Sequence, residues 1–277
     1  MRWAFLAAAT LLGSAPLARA DDAPPWVEAM KTTHAGFTGK LGTLALFGDS
    51  ITTTKAFWAP LAYAPKDLPE PLAKNLEVVK KFMLDDCWSK WRGPEFGNES
   101  GQTTRWAEDN VAAWLKKLNP EAVVLMFGTN DLNRIEPKEY DTRTRAVVEK
   151  CLKNGTVVIL TTIPPRAGME KKAAAFAEVQ RKIAADLKLP LIDFHAEILK
   201  FRPDDWNGGL PQFKEAAAKD GYQVPTLIAA DGVHPSNPSK FADYSAESLK
   251  TNGYQLRTAL TLNTYADVIR QVLTAKK

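Results

Sequence analysis

Residues 41–50 read Leu-Gly-Thr-Leu-Ala-Leu-Phe-Gly-Asp-Ser. Leu41 to Phe47 is a strand candidate, a short apolar-rich run closed by Gly48-Asp49-Ser50. A second run, Ala122 to Phe127, ends on Gly128-Thr129-Asn130-Asp131. It is apolar on both faces, which suits a central parallel strand. Between and beyond these runs the pattern changes to helical. Thr103 or Thr104 can cap a helix whose apolar face is Ala107, Val111, Trp114, Leu115 and Leu118, and Pro120 stops it. Tyr140, Val147, Val148, Cys151 and Leu152 mark a helix ended by Asn154-Gly155. Val157 to Thr162 is a strand stopped by Pro164-Pro165. Lys171 to Leu187 is alanine-rich and helical, with Phe176, Val179, Ile183 and Leu187 on one face. Leu191 to Phe194 is a further strand, and a last helix runs from about Tyr254 to Leu273.

Alternation of this kind predicts a parallel sheet with helices on both sides. The active site of such a sheet lies beyond the C-terminal ends of its strands. Ser50 and Asn130 both fall there. Residues 55–98 are expected to hold one helix and one strand, and residues 202–230 an irregular insertion. No internal repeat or low-complexity tract interrupts the chain.

Of the 277 residues, 45% are hydrophobic and 25% charged, an ordinary globular composition. Arg2, the apolar run Ala4 to Leu12 and Ala18-Arg19-Ala20 read as a secretory signal, with cleavage before Asp21 and a secreted or periplasmic destination. The apolar run is too short to span a bilayer, and no other segment approaches the required length, so no stable membrane insertion is expected after cleavage. Residues 21–277 are expected to form one domain. Setting aside Arg2 and Arg19, the 36 basic residues fall to 34 against 32 acidic ones. That balance argues against a nucleic-acid partner. Cys87 and Cys151 can either pair or stand as separate buried thiols. There is no C-x-x-C, no H-E-x-x-H and no clustered His/Cys set, so no metal site is expected.

Only three histidines exist: His34, His195 and His234. Asp231-Gly232-Val233-His234-Pro235 places a carboxylate three residues before an imidazole. Asp231 can reach back across one turn to orient His234 as a base. The same spacing describes an Asp-Gly turn with an incidental histidine. A serine at a strand-to-helix junction, such as Ser50, can present its hydroxyl above the sheet and its N–H toward an oxyanion. Ser50 or Asp49 can equally serve as a helix cap. Gly101, just before a helix, can bring a backbone N–H close to substrate, although Gly97 competes for that place, and Asn130 can offer a side-chain amide. Asp193 and His195 stand two apart at a strand end, as a metal pair, a rival Asp–His unit, or loop and capping residues. His34 has no evident partner.

Taken in order, Gly48-Asp49-Ser50-Ile51, Gly101, Gly128-Thr129-Asn130-Asp131 and Asp231-Gly232-Val233-His234 resemble the sequence blocks of the GDSL/SGNH hydrolases, over about residues 41–270. The resemblance implies a flavodoxin-like three-layer αβα sandwich around a central parallel sheet. It implies a serine esterase with Ser50 as nucleophile, His234 as general base and Asp231 as its orienter. It implies an oxyanion hole from the N–H groups of Ser50 and Gly101 and the side chain of Asn130, with no cofactor. Ile51 stands where the family often has leucine. The substrate expected is a small ester or an acylated carbohydrate. Trp58, Trp88, Trp91 and Trp206 lie in the irregular segments expected to rim the site, where aromatic faces suit sugar rings. The alternatives are a lysophospholipase, thioesterase or general short-chain esterase, and a non-catalytic carbohydrate-binding relative.

Overall fold

The computed structural model describes residues 23–238 and 242–274, so the expected signal segment lies outside the described residues. Helix α1 (Trp26–His34) leads into β1 (Leu44–Gly48) and a single turn, α2 (Ser50–Thr53). Next come α3 (Glu70–Phe82), α4 (Asp86–Ser89), α5 (Thr104–Leu118) and β2 (Ala122–Met126). Helix α6 (Pro137–Lys153), β3 (Val157–Thr161), α7 (Glu170–Leu187), β4 (Leu191–Ile192) and α8 (Phe194–Phe201) continue the alternation. The chain closes with α9 (Lys214–Lys219), α10 (Ser248–Thr251) and α11 (Gly253–Val268), which runs on as a π-helical turn through Leu273.

The strands form one parallel sheet in the order β1-β2-β3-β4. Every residue of β1, β2 and β3 is buried, because helices cover both faces. On one face α5 packs on α6 and α6 on α7; on the other lie α1, α3 and α11. This is the expected α/β fold with a central parallel sheet.

The strand expected within residues 55–98 is absent. Its place on the outer edge of β1 is taken by an isolated bridge between Gly48 and Asn98. The buried Asn98 side chain completes the edge. Its Nδ2 donates to the carbonyls of Leu46, Trp91 and Phe96, and its Oδ1 accepts from Gly93 N–H and the Thr53 hydroxyl. One amide thus satisfies groups that a strand would otherwise pair. The helix expected there is α3, with Leu72, Leu76 and Val79 inward at helical spacing. Helix α1 was not foreseen, although Val27, Met30 and His34 carry the same signature. Residues 202–230 are irregular apart from α9 and a short 3-10 turn at Pro211–Phe213.

At the N-terminal end of the strands, His34 acquires a partner. Glu121, fully buried just before β2, bonds His34 Nε2 at 2.8 Å and accepts Gly42 N–H at 2.6 Å. One carboxylate therefore ties α1, the entry to β1 and β2 together, far from the edge where Ser50 emerges. Glu121→Ala strands both partners without an acceptor. It is expected to cost about 2–4 kcal/mol in urea denaturation. Any esterase turnover of the folded fraction is expected to stay within about twofold, since Ser50 and Asn130, the residues expected to carry it, lie at the opposite edge.

Candidate active site

Parallel register pairs Gly48 with Met126, so the chain segments leaving β1 and β2 emerge side by side. Gly48 admits no side chain, since a Cβ would meet the Thr52 hydroxyl and the Met126 carbonyl. Asp49 then caps the turn. Its carboxylate accepts Ile51 N–H at 3.0 Å, and its carbonyl accepts the N–H groups of Thr52 and Thr53. Ser50 stands at the first position of the turn, half-buried, with its Oγ 2.9 Å from His234 Nε2.

A four-residue helix cannot hold itself, having almost no internal hydrogen bonds. Two arginines, Arg92 half-buried and Arg257 fully buried, finish it. Arg92 Nη1 donates to the carbonyls of Thr52, Thr53 and Thr54, and its Nη2 to that of Phe57. Arg257, fully buried on α11, donates to Ile51 O and the Thr52 hydroxyl and lies 3.8 Å over the Phe57 ring. Both are cations at a helix C-terminus, where the exposed carbonyls attract positive charge. Burial pushes both down to about 10, which still leaves them charged at neutral pH.

The Asp231–His234 loop is built as its spacing suggests. Asp231 Oδ1 accepts the N–H groups of Val233 and His234, and Oδ2 lies 2.6 Å from His234 Nδ1. Gly232 turns the chain at φ +70°, and its carbonyl accepts Ala167 N–H from the loop after β3. Burial would raise the Asp231 carboxyl, but hydrogen bonds from His234 and the two backbone N–H groups outweigh it and hold the group below the usual carboxylate range.

The third element is the loop after β2. Asn130 Nδ2 donates to Gln102 O at 3.0 Å and to Asp49 Oδ2 at 3.3 Å. Asp131 accepts Thr104 N–H with both oxygens and the Thr104 hydroxyl at 2.6 Å. This corrects the expected cap of α5: Thr103 makes no side-chain cap, and the carboxylate of Asp131 supplies it from across the sheet. Gly97 and Gly101 have different settings. Gly97 is committed to the sheet edge through its carbonyl, which accepts Gly48 N–H, and a Cβ there would strike the Phe47 ring. Gly101 has φ +75° and open space around it, and the next residue's carbonyl holds Asn130.

Ser50, His234 and Asp231 are thus one hydrogen-bonded chain. Asn130 joins it through Asp49, and Gly101 is held between the segments docked on Gly48 and Asn130. The other histidine is not part of this. Asp193 caps α8 by accepting Ala196 N–H and pairs with Arg181; His195 is buried within α8 against Ile163 O. Among the described residues no group of three or more His, Cys, Asp or Glu could hold a metal ion. Cys87 and Cys151 are free and buried, and burial raises both thiols, to about 11 and about 12. Three of the four tryptophans expected at the rim, Trp58, Trp88 and Trp206, are buried instead, and Trp91 is half-buried. Trp58 and Trp88 stack on each other in the core, Trp206 is buried, and Trp91 packs on Phe96. Sequence reading missed Arg92, Arg257 and Tyr222, whose ring lies 5.8 Å from that of His234. None has a local motif to betray it.

A hydroxyl hydrogen-bonded to an imidazole that is itself oriented by a carboxylate, at the C-terminal edge of a parallel sheet, is the architecture of an acyl-transferring hydrolase. Residues 46–238 match the model of the GDSL-like lipase/acylhydrolase family, and the chain belongs to that family and is an ester hydrolase. It is 22% identical over 173 residues to the thioesterase 1/protease 1/lysophospholipase L1 of Escherichia coli K12, covering 61% of this chain and 72% of that protein. A Bacteroides fragilis protein designated an acylhydrolase superposes with a TM-score of 0.50 at 17% identity, covering 90% of this chain and 98% of that one. A catalytic mutant of an acetylxylan esterase from Geobacillus stearothermophilus gives a TM-score of 0.46 at 17% identity, over 87% and 97% of the two chains.

The buried Asp49 titrates unusually. Burial lifts it from 3.8 to about 6, against the opposing pull of Ile51 N–H, Arg257 and His234. A carboxyl whose folded value is raised binds its proton more tightly in the folded state, so the fold loses stability as pH rises through that range. Asp49→Asn removes the titration. Between pH 4 and pH 7, urea denaturation is expected to shift the stability difference in favour of the variant by roughly 1–3 kcal/mol. A pH-independent difference would contradict this assignment.

Proposed function

We propose that this ester hydrolase works through an acyl-enzyme formed on Ser50. The observation that carries the reading is the unbroken chain Ser50 Oγ to His234 Nε2 at 2.9 Å and His234 Nδ1 to Asp231 at 2.6 Å. His234 takes the Ser50 proton as Oγ attacks the ester carbonyl. Asp231 holds the imidazole in the tautomer that leaves Nε2 free to accept, and stabilises the imidazolium. The tetrahedral oxyanion is met by the N–H groups of Ser50 and Gly101 and by Asn130. The imidazolium then returns its proton to the departing alkoxide. Water, deprotonated by His234, attacks the acyl-enzyme and releases the acid and free Ser50. Every group in this scheme comes from the chain, with no cofactor.

Both hydrogens of Asn130 Nδ2 are engaged in the free enzyme, and the weaker bond is the 3.3 Å one to Asp49. That bond is the one to be exchanged for the oxyanion as substrate binds, a tightening common to catalytic amides. The substrate we infer is a small ester, including acylated carbohydrate, reached through a site whose Asp231 and His234 side chains are 39% and 24% exposed. A second reading, thioesters or lysophospholipids, is supported by the function named for the Escherichia coli relative.

Hydrolysis of p-nitrophenyl acetate and octanoate by residues 21–277 tests both. Ser50→Ala is expected to abolish turnover, and Asn130→Ala to lower kcat by roughly 10²–10³ without loss of fold. Preference for acetate supports the short-acyl reading; preference for octanoate moves it to lipids or thioesters. Turnover in Ser50→Ala equal to the parent would sink the mechanism. Export is also proposed, from Arg2, the run Ala4 to Leu12 and Ala18-Arg19-Ala20. Expression of the whole chain in a Gram-negative host should give a mature protein whose mass begins at Asp21; retention of Met1 to Ala20 would contradict it.

A further inference from the structure

Tyr222 is one of three exposed large hydrophobic residues among the described residues, with Leu41 and Tyr63. Unlike the other two, it is fastened over the Asp231–His234 loop. Asp220 Oδ1 accepts Tyr222 N–H at 2.9 Å, and Asp220 also holds Gln223 through its carbonyl and its other carboxylate oxygen. Two backbone bonds then bracket the base loop. Ala230 N–H donates to Gly221 O at 2.8 Å, and Asn237 N–H donates to Tyr222 O at 2.7 Å. The segment 220–223 is therefore strapped across the loop on either side of Asp231 and His234.

The phenol hydroxyl lies 3.4 Å from His234 Nδ1. In the mechanism above Nδ1 carries one proton, already given to Asp231 at 2.6 Å. The acceptor open to the phenol proton is accordingly the Asp231 carboxylate rather than the ring, and partial burial and the charge of Asp231 both raise Tyr222 above the usual phenol range. Asp231 accepts three donors, the N–H groups of Val233 and His234 and His234 Nδ1–H, and the Tyr222 hydroxyl stands beside them at the same ring nitrogen.

We propose that Tyr222 is a positioning residue for the reaction, acting through Asp231: its hydroxyl shares the carboxylate with His234, and its ring screens the pair from water. This rests on the acyl-enzyme reading. The two parts act in opposite senses. The hydroxyl disperses negative charge on Asp231 and so weakens its hold on the imidazolium, which eases return of the proton to the leaving alkoxide. The ring lowers the local dielectric and strengthens that hold. The other titratable groups facing the pair are Asp49 from the nucleophile turn, Asp220 from the strap and Tyr254 from α11, with Arg257 behind Asp49. They are unchanged by substitution at position 222.

The test compares parent, Tyr222→Phe and Tyr222→Ala by kcat and KM for p-nitrophenyl acetate across pH. The titration of the His234 imidazole is followed by NMR, its resonances identified by their loss in His234→Asn. In Tyr222→Phe the carboxylate keeps more of its charge for the imidazolium. The acid limb of the rate profile and the NMR midpoint are expected to rise together. Tyr222→Ala, which also opens the pair to water, is expected to lose roughly tenfold in kcat with KM within about twofold. An unshifted NMR midpoint and rate profile in Tyr222→Phe would overturn the proposal. So would an increase in KM alone, which would make Tyr222 a substrate contact. Ser50→Ala separates the two levels. If it keeps the parent rate, the acyl-enzyme reading fails; if it is inactive while Tyr222→Phe is unshifted, only the role of Tyr222 fails.

Discussion

Everything at the active edge depends on a helical turn too short to stabilise itself. Ser50 needs the strand-to-helix junction to present its hydroxyl, yet four residues of helix leave nearly all their polar groups unpaired. The protein supplies the missing partners from outside. Asp49 takes the N-terminal side, Arg92 and Arg257 take the C-terminal carbonyls, and the Thr53 hydroxyl bonds Asn98. Burying two guanidinium groups is costly unless their donors are well used. Six carbonyl and hydroxyl acceptors lie on them here, all in residues 51–57. Ser50 is thus held by the core rather than by its own loop.

Carboxylates do the same work elsewhere in the fold. Asp131 reaches from the end of β2 to the start of α5, which fixes the segment carrying Gly101 relative to the one carrying Asn130. Asp49 reaches from the nucleophile turn to Asn130. Asp231 closes its own loop and orients His234. Glu121 does the equivalent at the far end of the strands. Desolvation raises Asp49 and Asp131, while Asp231, with more donors and more exposure, stays low. Of these three, the carboxylate bonded to His234 is the one with the most hydrogen-bond donors and the most access to water, a division that follows from local environment.

Much of this was legible in the chain. The run at 41–47 announced a strand, and the run at 122–127 a buried central one, because central parallel strands must be apolar on both faces. Gly48-Asp49-Ser50 and Asp231-Gly232-Val233-His234 announced chemistry because each contains its own local geometry: a serine at a strand end, and a carboxylate one turn before an imidazole. The structure joined them over 184 residues of chain. Signals for α1 and α3 were present as helical spacing but were hidden by proline-rich, irregular flanks.

The sequence by itself determined the layers of the fold and the pairing of Asp231 with His234 inside one loop, since those rest on periodicity and on residues adjacent in the chain. Only the tertiary structure decided that Trp58 and Trp88 are core rather than rim, that Asn98 stands in for a strand, and that Arg92 and Arg257 finish the nucleophile turn. It also decided that Tyr222 lies over the base. A side chain's neighbours across tens or hundreds of residues are set by how helices and loops pack on the sheet. Burial, and with it the difference between a binding surface and a packed interior, is a property of that packing and not of the residue.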